Sequence, residues 1–314
     1  MKKKIITAGL LSASSITAIH FINRIHNFIS TSKNLLSYSE NKYYKWRFGE
    51  IKYDKKGKGS PLLFIHDLTT GSSGYEFHRL INNLTDEHEV YTLDLLGYGL
   101  SEKPSITYTN NLYEQLVTDF TKNIIGKKTS VIVSGNSVPF VIMACHDNPE
   151  FFDKIIAINP QSLFSQNQVP SSQTKLLKFI FEVPVLGTFI YNIINTKRSF
   201  EKTFRKEYFY DKSKIKENYI LNYLEASQLS GHYAKYSFAS YTAKYVNTNI
   251  LHALKEINHS ILMIGGEKEK DIETTLENYA YYNHSIELEY IPDTKHLPHL
   301  EVPDKVMELI KWFL

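Results

Sequence analysis

The sequence predicts an α/β fold built on a mostly parallel, doubly wound sheet. Short apolar runs rich in β-branched residues recur along the chain, and helical stretches separate most of them. Runs that are apolar throughout are typical of strands buried on both faces, as parallel strands are. A chain of 314 residues, 42% of them apolar, is also long enough to bury a large core. This alternation of strands and helices favours an α/β architecture.

Charge and cysteine content exclude several classes of protein. Lys and Arg total 36 against 33 Asp and Glu, a formal net charge of +3, without the basic concentration expected of a nucleic-acid binder. The single cysteine, Cys145, cannot form an internal disulfide framework or a cysteine-rich metal site. The sequence also contains no Cys/His ligand spacing and no glycine-rich phosphate loop. We therefore expect no metal, no organic cofactor and no nucleic-acid partner.

The first predicted element is a hydrophobic helix at the N-terminus. Met1–Lys4 is basic, and Ile5–Ile22 contains no Asp, Glu, Lys or Arg. As a helix rising about 1.5 Å per residue, this run approaches the span of a bilayer core. Its polar residues scatter around the helix axis, unlike those of an in-plane amphipathic helix. The segment favours a membrane anchor with the main domain outside the cytoplasm. The alternatives are a cleaved signal, an interfacial or packed helix, and a secreted or cytoplasmic protein.

Eight strands are expected after a polar stretch that ends near residue 41. The first two are Tyr44–Phe48 and Glu50–Tyr53, followed by a basic turn at Lys55–Gly59. Six apolar runs then follow along the chain: Pro61–Ile65, Val90–Leu93, Val131–Ser134, Ile155–Ile158, Ile261–Ile264 and Ile286–Ile291. Helical patterns at Asn111–Ile125 and Lys305–Phe313 complete the alternation.

One interval contains no strand pattern. From about Ser162 to Leu254 the sequence shows only helical segments, such as Thr174–Ile180 and Ile215–Ser227. We interpret it as a helical cap inserted between strands. The predicted organisation is residues 1–40 as hydrophobic segment and linker, 41–161 and 255–314 as the two parts of the α/β core, and 162–254 as the cap insertion.

A serine lies in the turn after one of the predicted strands, where open α/β sheets build their sites. The segment Val133–Pro139 (VSGNSVP) leads from that strand into an apolar stretch. A serine in a sharp strand-to-helix turn is pushed out of the sheet, where it can meet a base. Ser137 is therefore a candidate nucleophile. The alternative is a serine that caps an ordinary helix.

A histidine follows the last predicted strand. His296, in the loop Thr294–Glu301, can lean over the sheet edge toward Ser137, accept its proton and return it to the leaving group. A structural or exposed histidine is the alternative. His299, in the same loop, is the less favoured base.

A charged loop, Gly265–Asp271, follows the strand before that histidine loop. A carboxylate there can fix the tautomer of the imidazole and stabilise the imidazolium. Glu269 is the candidate acid, Glu267 and Asp271 are competitors, and a merely solvated loop is the alternative.

The fourth segment, Phe64–Gly71, can aim a backbone N–H group into the same site. The N–H groups of Leu68 and Val138 would then form an oxyanion hole, which stabilises negative charge developing in a transition state.

Taken together, the four segments resemble the α/β-hydrolase family with a helical cap, over about residues 44–314. Asp94–Pro104 (DLLGYGLSEKP) is similar to that family's D-x-x-G-x-G-x-S-x-x-P loop, and His296–Glu301 (HLPHLE) to its histidine loop. The order serine, acid, histidine is also the family's order. The resemblance implies Ser137 as nucleophile, Glu269 as acid and His296 as base, in acyl transfer to water without metal or cofactor.

Two positions depart from the family pattern. Asp67 stands where the family has glycine, and an ionised carboxylate beside the oxyanion hole would oppose developing negative charge. Pro139 replaces the glycine two residues after Ser137 and disfavours helical φ and ψ at Val138. The predicted function is a serine ester hydrolase of the carboxylesterase or lipase type. The alternatives are a weak or inactive relative that binds a ligand or partner, and a structural, membrane-tethered protein.

An apolar stretch in the predicted cap bears on the substrate. Most of Leu176–Ile194 is apolar, and Pro184 and Gly187 divide it into two helical pieces. The stretch is either a packed helix pair or the lining of an entrance for acyl chains. The expected partners are a small-molecule ester or other apolar acyl substrate, and a membrane contacted through Ile5–Ile22.

Overall fold

One eight-stranded sheet organises the residues that this computed structural model describes, 2–36 and 41–314, with side chains for 14–36 and 41–314. The strands are β1 (Lys42–Trp46), β2 (Gly49–Lys56), β3 (Ser60–Ile65), β4 (His88–Leu93), β5 (Thr129–Ser134), β6 (Phe152–Ile158), β7 (Ile261–Gly266) and β8 (Ile286–Ile291). Their order across the sheet is β1-β2-β4-β3-β5-β6-β7-β8. β2 is antiparallel to β1 and β4, and the other neighbouring pairs are parallel. The predicted mostly parallel sheet is confirmed.

Helices precede β1, separate consecutive strands from β4 onward, and follow β8. Within the described ranges they are α1 (Lys2–Thr31), α2 (Asn110–Phe120), α3 (Val138–Asp147), α4 (Leu163–Gln166), α5 (Ser172–Glu182), α6 (Leu186–Ile194), α7 (Lys197–Thr203), α8 (Glu217–Gln228), α9 (Lys235–Thr242), α10 (Leu251–Glu256), α11 (Ile272–Tyr282), α12 (Pro298–Glu301) and α13 (Pro303–Phe313). One face of the sheet is packed by α2, α3, α10 and α11, and the other by α13 and the short helical turn Gly74–Phe77. The sheet is therefore covered on both sides.

This double covering explains why the central strands carry apolar side chains on both faces of the sheet. Leu63 pairs in register with Val131, which pairs with Ile155, and this row faces one side of the sheet. Phe64 pairs with Ile132, and this next row faces the other side. All five side chains are fully buried, which is the pattern expected of parallel strands.

Six helices between β6 and α10, here called the inserted helices (α4–α9), contact the edge where the parallel strands end. Phe204 and Tyr223 of this segment share a buried cluster with Leu297 and Leu300, which follow β8. The predicted cap boundary at residue 254 also included most of α10. That helix packs against α3 and belongs with the core layer.

The N-terminal helix α1 packs against α6 and α8. The Asn23 amide donates to the carbonyl of Val185 at 3.1 Å and accepts from the Asn192 amide at 3.0 Å. The Asn27 amide donates to the carbonyl of Gln228. The opposite side of α1 exposes apolar side chains, those of Phe21, Ile22, Ile25, Phe28 and Ile29.

The sequence predicted a membrane anchor at Ile5–Ile22, and the side chains of residues 5–13 lie outside those described. Among the described residues, no helix is by itself both long and apolar enough to cross a bilayer. The helices α5 and α6 reach that composition only as a pair, bent by 102°.

Candidate active site

Four loops meet at the carboxyl ends of the parallel strands. Asp67 follows β3, Asn136 lies in the turn between β5 and α3, Glu269 follows β7 and His296 follows β8. Because these strands run in the same direction, their loops emerge at one edge of the sheet. The structure brings Glu269 and His296 together there, as the sequence predicted, and adds Asp67 to them.

His296 lies between two carboxylates. Its Nε2 is 3.1 Å from Asp67 Oδ2, and its Nδ1 is 3.8 Å from Glu269 Oε1, which is close enough for charge attraction but too long for a hydrogen bond. Burial alone would lower the pKa of the imidazole. The hydrogen bond to Asp67 and the charges of both carboxylates outweigh burial and raise that pKa to about 10. His296 is therefore an imidazolium at neutral pH.

Asp67 is buried and surrounded by hydrogen-bond donors. Its Oδ1 accepts the N–H groups of Leu68 and Asn136, both at 2.7 Å, and the side-chain amide of Asn136 at 2.9 Å. Two main-chain N–H groups that converge on one oxygen have the geometry of an oxyanion hole. Burial alone would raise the pKa of Asp67, but His296 and the Asn136 donors hold it below its usual value. The hole is thus filled by a carboxylate of the protein itself.

The turn after β5 differs from the one that the sequence suggested. Gly135, with φ +56°, adopts the left-handed conformation, whereas Ser137 has right-handed helical angles. The Ser137 hydroxyl is buried and donates to the carbonyl of His66 at 2.6 Å. The hydroxyl of Ser137 therefore hydrogen-bonds to a main-chain carbonyl and not to the imidazole of His296. Pro139 lies in the first turn of α3 without disturbing it, since Val138 keeps helical angles.

The predicted oxyanion hole requires one correction. The Leu68 N–H points into the hole, but the Val138 N–H donates to the carbonyl of Gly135. Asn136, the residue directly after the left-handed Gly135, supplies the second N–H instead. The hole moved by two residues because the sharp bend occurs at Gly135.

The competing acids lie elsewhere. Glu267 pairs with Lys268 at 3.3 Å and accepts the N–H of Asp293, also at 3.3 Å. Asp271 is exposed and precedes α11. Of the three predicted carboxylates, Glu269 is the one that the structure places beside His296.

His299 lies behind the site and not in it. It is fully buried, with Nε2 at 3.1 Å from Glu76 Oε1. The other oxygen of Glu76 accepts the main-chain N–H of Asp67 at 3.3 Å. This buried pair therefore supports the backbone of Asp67.

His66 holds the same backbone from the other side. Its Nε2 accepts the N–H of Leu95 at 3.0 Å, so its proton is on Nδ1, which donates to the carbonyl of Asp67 at 2.6 Å. The Asp94 carboxylate accepts the N–H groups of Gly74 and Leu100, which fixes the loop that carries Leu95. His66 and Asp94 therefore hold the backbone around the site in position, and their side chains do not contact His296.

Tyrosines enclose the carboxylate. Burial raises the pKa of the hydroxyls of Tyr98, Tyr208 and Tyr241, and the negative charge of Asp67 raises each further. They are therefore neutral at physiological pH. The Tyr208 ring also stacks on His296 with 5.2 Å between the centroids.

A polar cavity of about 290 Å³ reaches the site beside His296 and Glu269. Asn136 and Gly135 lie on its wall, and Asn159 and Ser162 contribute polar groups. Its size is near the lower limit for small-molecule sites. The cavity offers a path for water to the imidazole.

A different group of side chains could hold a metal ion. His146, on α3, and His252 and Glu256, on α10, place one ligand atom each within 4.8 Å of the others. Imidazole and carboxylate are ligands that suit zinc. The expectation of no metal overlooked this group because α3 and α10 are distant in sequence. It lies outside the site that contains Asp67 and His296.

The sheet, its connections and the site at the strand ends define a class of enzyme. The model of the alpha/beta hydrolase family matches residues 62–309. The chain belongs to the alpha/beta hydrolase family, and a hydrolase is the activity that its relatives support.

Particular relatives are similar to this chain over limited lengths. A 2-hydroxy-6-oxo-6-(2'-aminophenyl)hexa-2,4-dienoic acid hydrolase from Metapseudomonas resinovorans is 35% identical over 92 residues, 28% of this chain and 31% of the relative. A haloalkane dehalogenase from Agrobacterium fabrum is 24% identical over 113 residues, 34% of this chain and 36% of the relative. The chain thus spans about a third of the length of these curated relatives.

Two solved structures illustrate the likeness in fold. An epoxide hydrolase superposes with a TM-score of 0.70 at 18% identity, covering 87% of this chain and 98% of that one. A bacterial membrane phospholipase A superposes with a TM-score of 0.68 at 18% identity, covering 100% and 98%. At this identity the likeness shows the fold alone.

Sequence reasoning missed two functional positions. It treated Asp67 as an irregularity beside the oxyanion hole and did not consider Asn136. A signal for both was present, because a carboxylate after β3 and a glycine after β5 stand at neighbouring strand ends.

Proposed function

We propose that this protein hydrolyses a small, uncharged organic molecule at the site formed by Asp67, Glu269 and His296. One observation carries the proposal: two main-chain N–H groups, those of Leu68 and Asn136, converge on one oxygen of the Asp67 carboxylate, and the imidazole of His296 contacts the other. A proton carrier and an oxyanion hole side by side are the parts that hydrolysis through a tetrahedral intermediate needs.

The charge of the site favours an uncharged substrate. Asp67 and Glu269 contribute two negative charges, and the imidazolium of His296 contributes one positive charge. The surrounding tyrosines are neutral. An anionic substrate would therefore be repelled from the site.

The role of His296 can be tested with a matched pair of variants. His296→Gln should lower hydrolysis by at least ~10³-fold, while Glu267→Gln, on an exposed carboxylate beyond the site, should leave it unchanged. Turnover is measured on p-nitrophenyl acetate, styrene oxide and 1-bromobutane. Equal turnover by both variants would contradict the proposal.

Ester hydrolysis through Ser137, the function expected from the sequence, is the second candidate. It is favoured by the position of Ser137, whose buried hydroxyl lies next to Asn136. Acyl transfer would require that hydroxyl to leave the carbonyl of His66 and the Asp67 carboxylate to leave the hole. A fluorophosphonate probe decides: a covalent label on Ser137 supports this candidate, and folded protein without label excludes it.

A further inference from the structure

We propose that the carboxylate of Asp67, offered from the end of β3, attacks the substrate and carries the covalent intermediate. The substrate class that follows is an uncharged alkyl electrophile, a molecule with a tetrahedral carbon that bears a leaving group. This inference rests on the proposed function and deepens it.

The two oxygens of Asp67 have different surroundings. Oδ1 accepts three N–H donors from Leu68 and Asn136, and Oδ2 faces Nε2 of His296 at 3.1 Å. The carboxylate is thus fixed in orientation, with one oxygen anchored in the hole and the other beside the proton carrier. A nucleophile within hydrogen-bond distance of its base, which a third group orients, is the arrangement of covalent catalysis. Glu269 is that third group.

Gly135 makes room for this arrangement. A Cβ atom added at residue 135 would lie 2.5 Å from Asp67 Oδ1, closer than any real contact. The left-handed φ of Gly135 also disfavours other residues there. The end of β5 therefore presents no side chain, and the space in front of His296 belongs to Asp67.

Ser137 lacks the partners that a nucleophile needs. Its hydroxyl donates to the carbonyl of His66, and the N–H of the next residue, Val138, donates to Gly135. Neither the base nor the hole is at its hydroxyl. Asp67 has both.

The chemistry of a carboxylate nucleophile selects the substrate. Attack on an ester carbonyl would give an anhydride, which is more reactive than the ester and forms unfavourably. Attack on a tetrahedral carbon gives a stable ester. An alkyl halide or an epoxide is an uncharged molecule that offers such a carbon.

In the first step a lone pair of Asp67 Oδ2 forms a C–O bond to the substrate, and the bond to the leaving group breaks with both electrons. Esterification removes the negative charge of Asp67, so His296 gives up its extra proton. The oxygen of an opened epoxide takes this proton, whereas a halide departs as the anion and the proton goes to water.

In the second step the neutral His296 removes a proton from water, and the resulting hydroxide adds to Cγ of Asp67. The N–H groups of Leu68 and Asn136 stabilise the negative charge that develops on Oδ1. The Cγ–Oδ2 bond then breaks, and the product alcohol leaves with a proton from His296. The regenerated carboxyl returns its proton to His296. The product oxygen therefore comes from Asp67, and the water oxygen stays in the protein.

The experiment uses the full chain in ¹⁸O-labelled water under single-turnover conditions, with 1-bromobutane and styrene oxide as separate probes. We expect unlabelled product and one ¹⁸O in the tryptic peptide that contains Asp67. With His296→Gln we expect the alkyl ester from 1-bromobutane to accumulate on that peptide, because departure of a halide needs no proton from His296. In the wild type, the two probes show whether a halide or an epoxide is preferred. Asp67→Asn should lower turnover by at least ~10³-fold, and Glu267→Gln is the matched control.

The possible failures are distinguishable. Labelled product with an unlabelled Asp67 peptide would overturn the carboxylate nucleophile and leave hydrolysis standing. The same conclusion follows if p-nitrophenyl acetate alone is consumed and Asp67→Asn keeps that activity. If none of the three probes is consumed and His296→Gln gains no mass, both this inference and the proposed function are wrong. The labelling readout uses wild-type protein, so it does not depend on how well a variant folds.

Discussion

At the scale of single residues, one imidazole shared by two carboxylates has a consequence for stability. The pKa of His296 is about 10 in the folded protein against 6.5 ordinarily, so the folded state keeps a proton that the unfolded chain loses. The stabilisation is complete below pH 6.5 and is lost as the pH rises to about 10. Asp67, whose pKa is lowered, contributes stability that is lost only in acid.

We therefore expect the free energy of unfolding to fall by roughly 1 kcal/mol per pH unit over that alkaline range. The unfolding free energy of the Asp67→Asn variant should fall less steeply with pH, because only Glu269 would then stabilise the proton on His296. Urea unfolding at successive pH values measures both slopes. Parallel curves for the two proteins would contradict the assigned ion pair.

The contact between Gly135 and Asp67 gives a second prediction at this scale. Gly135→Ala should lower the free energy of unfolding by more than the ~1 kcal/mol that a left-handed alanine costs, because its Cβ meets Asp67. Gly126→Ala is the matched control: φ is +67° there, and the nearest atom to the added Cβ is 4.0 Å away.

In an Asp67→Gly background, Gly135→Ala should cost no more unfolding free energy than Gly126→Ala does in the wild type. Urea unfolding of the wild type, Gly135→Ala, Asp67→Gly and the double variant completes this double-mutant cycle. Equal losses at residues 135 and 126 would show that Asp67 does not occupy this space.

At the scale of elements, one carboxylate ties the inserted helices to the histidine loop. Glu301, in α12, accepts the N–H groups of Tyr210 and Asp211 from the inserted segment, and that of Lys295, directly before His296. Glu301 is buried, so these bonds to a charged acceptor are protected from water.

We expect Glu301→Gln to cost about 2 kcal/mol of unfolding free energy and to lower turnover, because the loop of His296 loses its anchor. The control is Glu308→Gln, whose carboxylate is exposed on α13. Stability is measured in urea and turnover on the probe that the wild type consumes. A loss confined to stability would show that the loop keeps its position without this anchor.

Elements and site residues differ in how far the sequence predicts them. The run Ile286–Ile291 matches β8 at both ends, and Val131–Ser134 falls short of β5 by two residues. The pattern of apolar residues is enough to predict a strand, because several consecutive side chains each indicate burial. The chemistry around Ser137 depends on which residue of one turn takes the left-handed conformation. The spacing of residues in a sequence motif does not predict that backbone dihedral angle.

At the scale of the whole molecule, two asparagine side chains of α1 join this helix to the inserted helices. Asn23 and Asn27 make hydrogen bonds to the segments around α6 and α8, while apolar side chains on the other side of α1 face outward. The double substitution Asn23→Ala and Asn27→Ala should raise amide exchange in α1 by about 10-fold or more and leave the sheet unchanged. The exposed Asn258→Ala is the control. Unchanged exchange would show that apolar packing alone holds the helix.

The shared volume of residues 67 and 135 also restricts the order in which this site can change over generations. A side chain at residue 135 and a carboxylate at residue 67 would occupy the same space, so Gly135→Ser is blocked while Asp67 remains. A lineage that exchanges one reactive group for the other must pass through a form with glycine at both positions. In that form the N–H groups of Leu68 and Asn136 face empty space, and His296 keeps Glu269 as its one acidic neighbour. On the role proposed above for Asp67, an exchange of the carboxylate for a hydroxyl at residue 135 therefore passes through a protein that lacks a nucleophile.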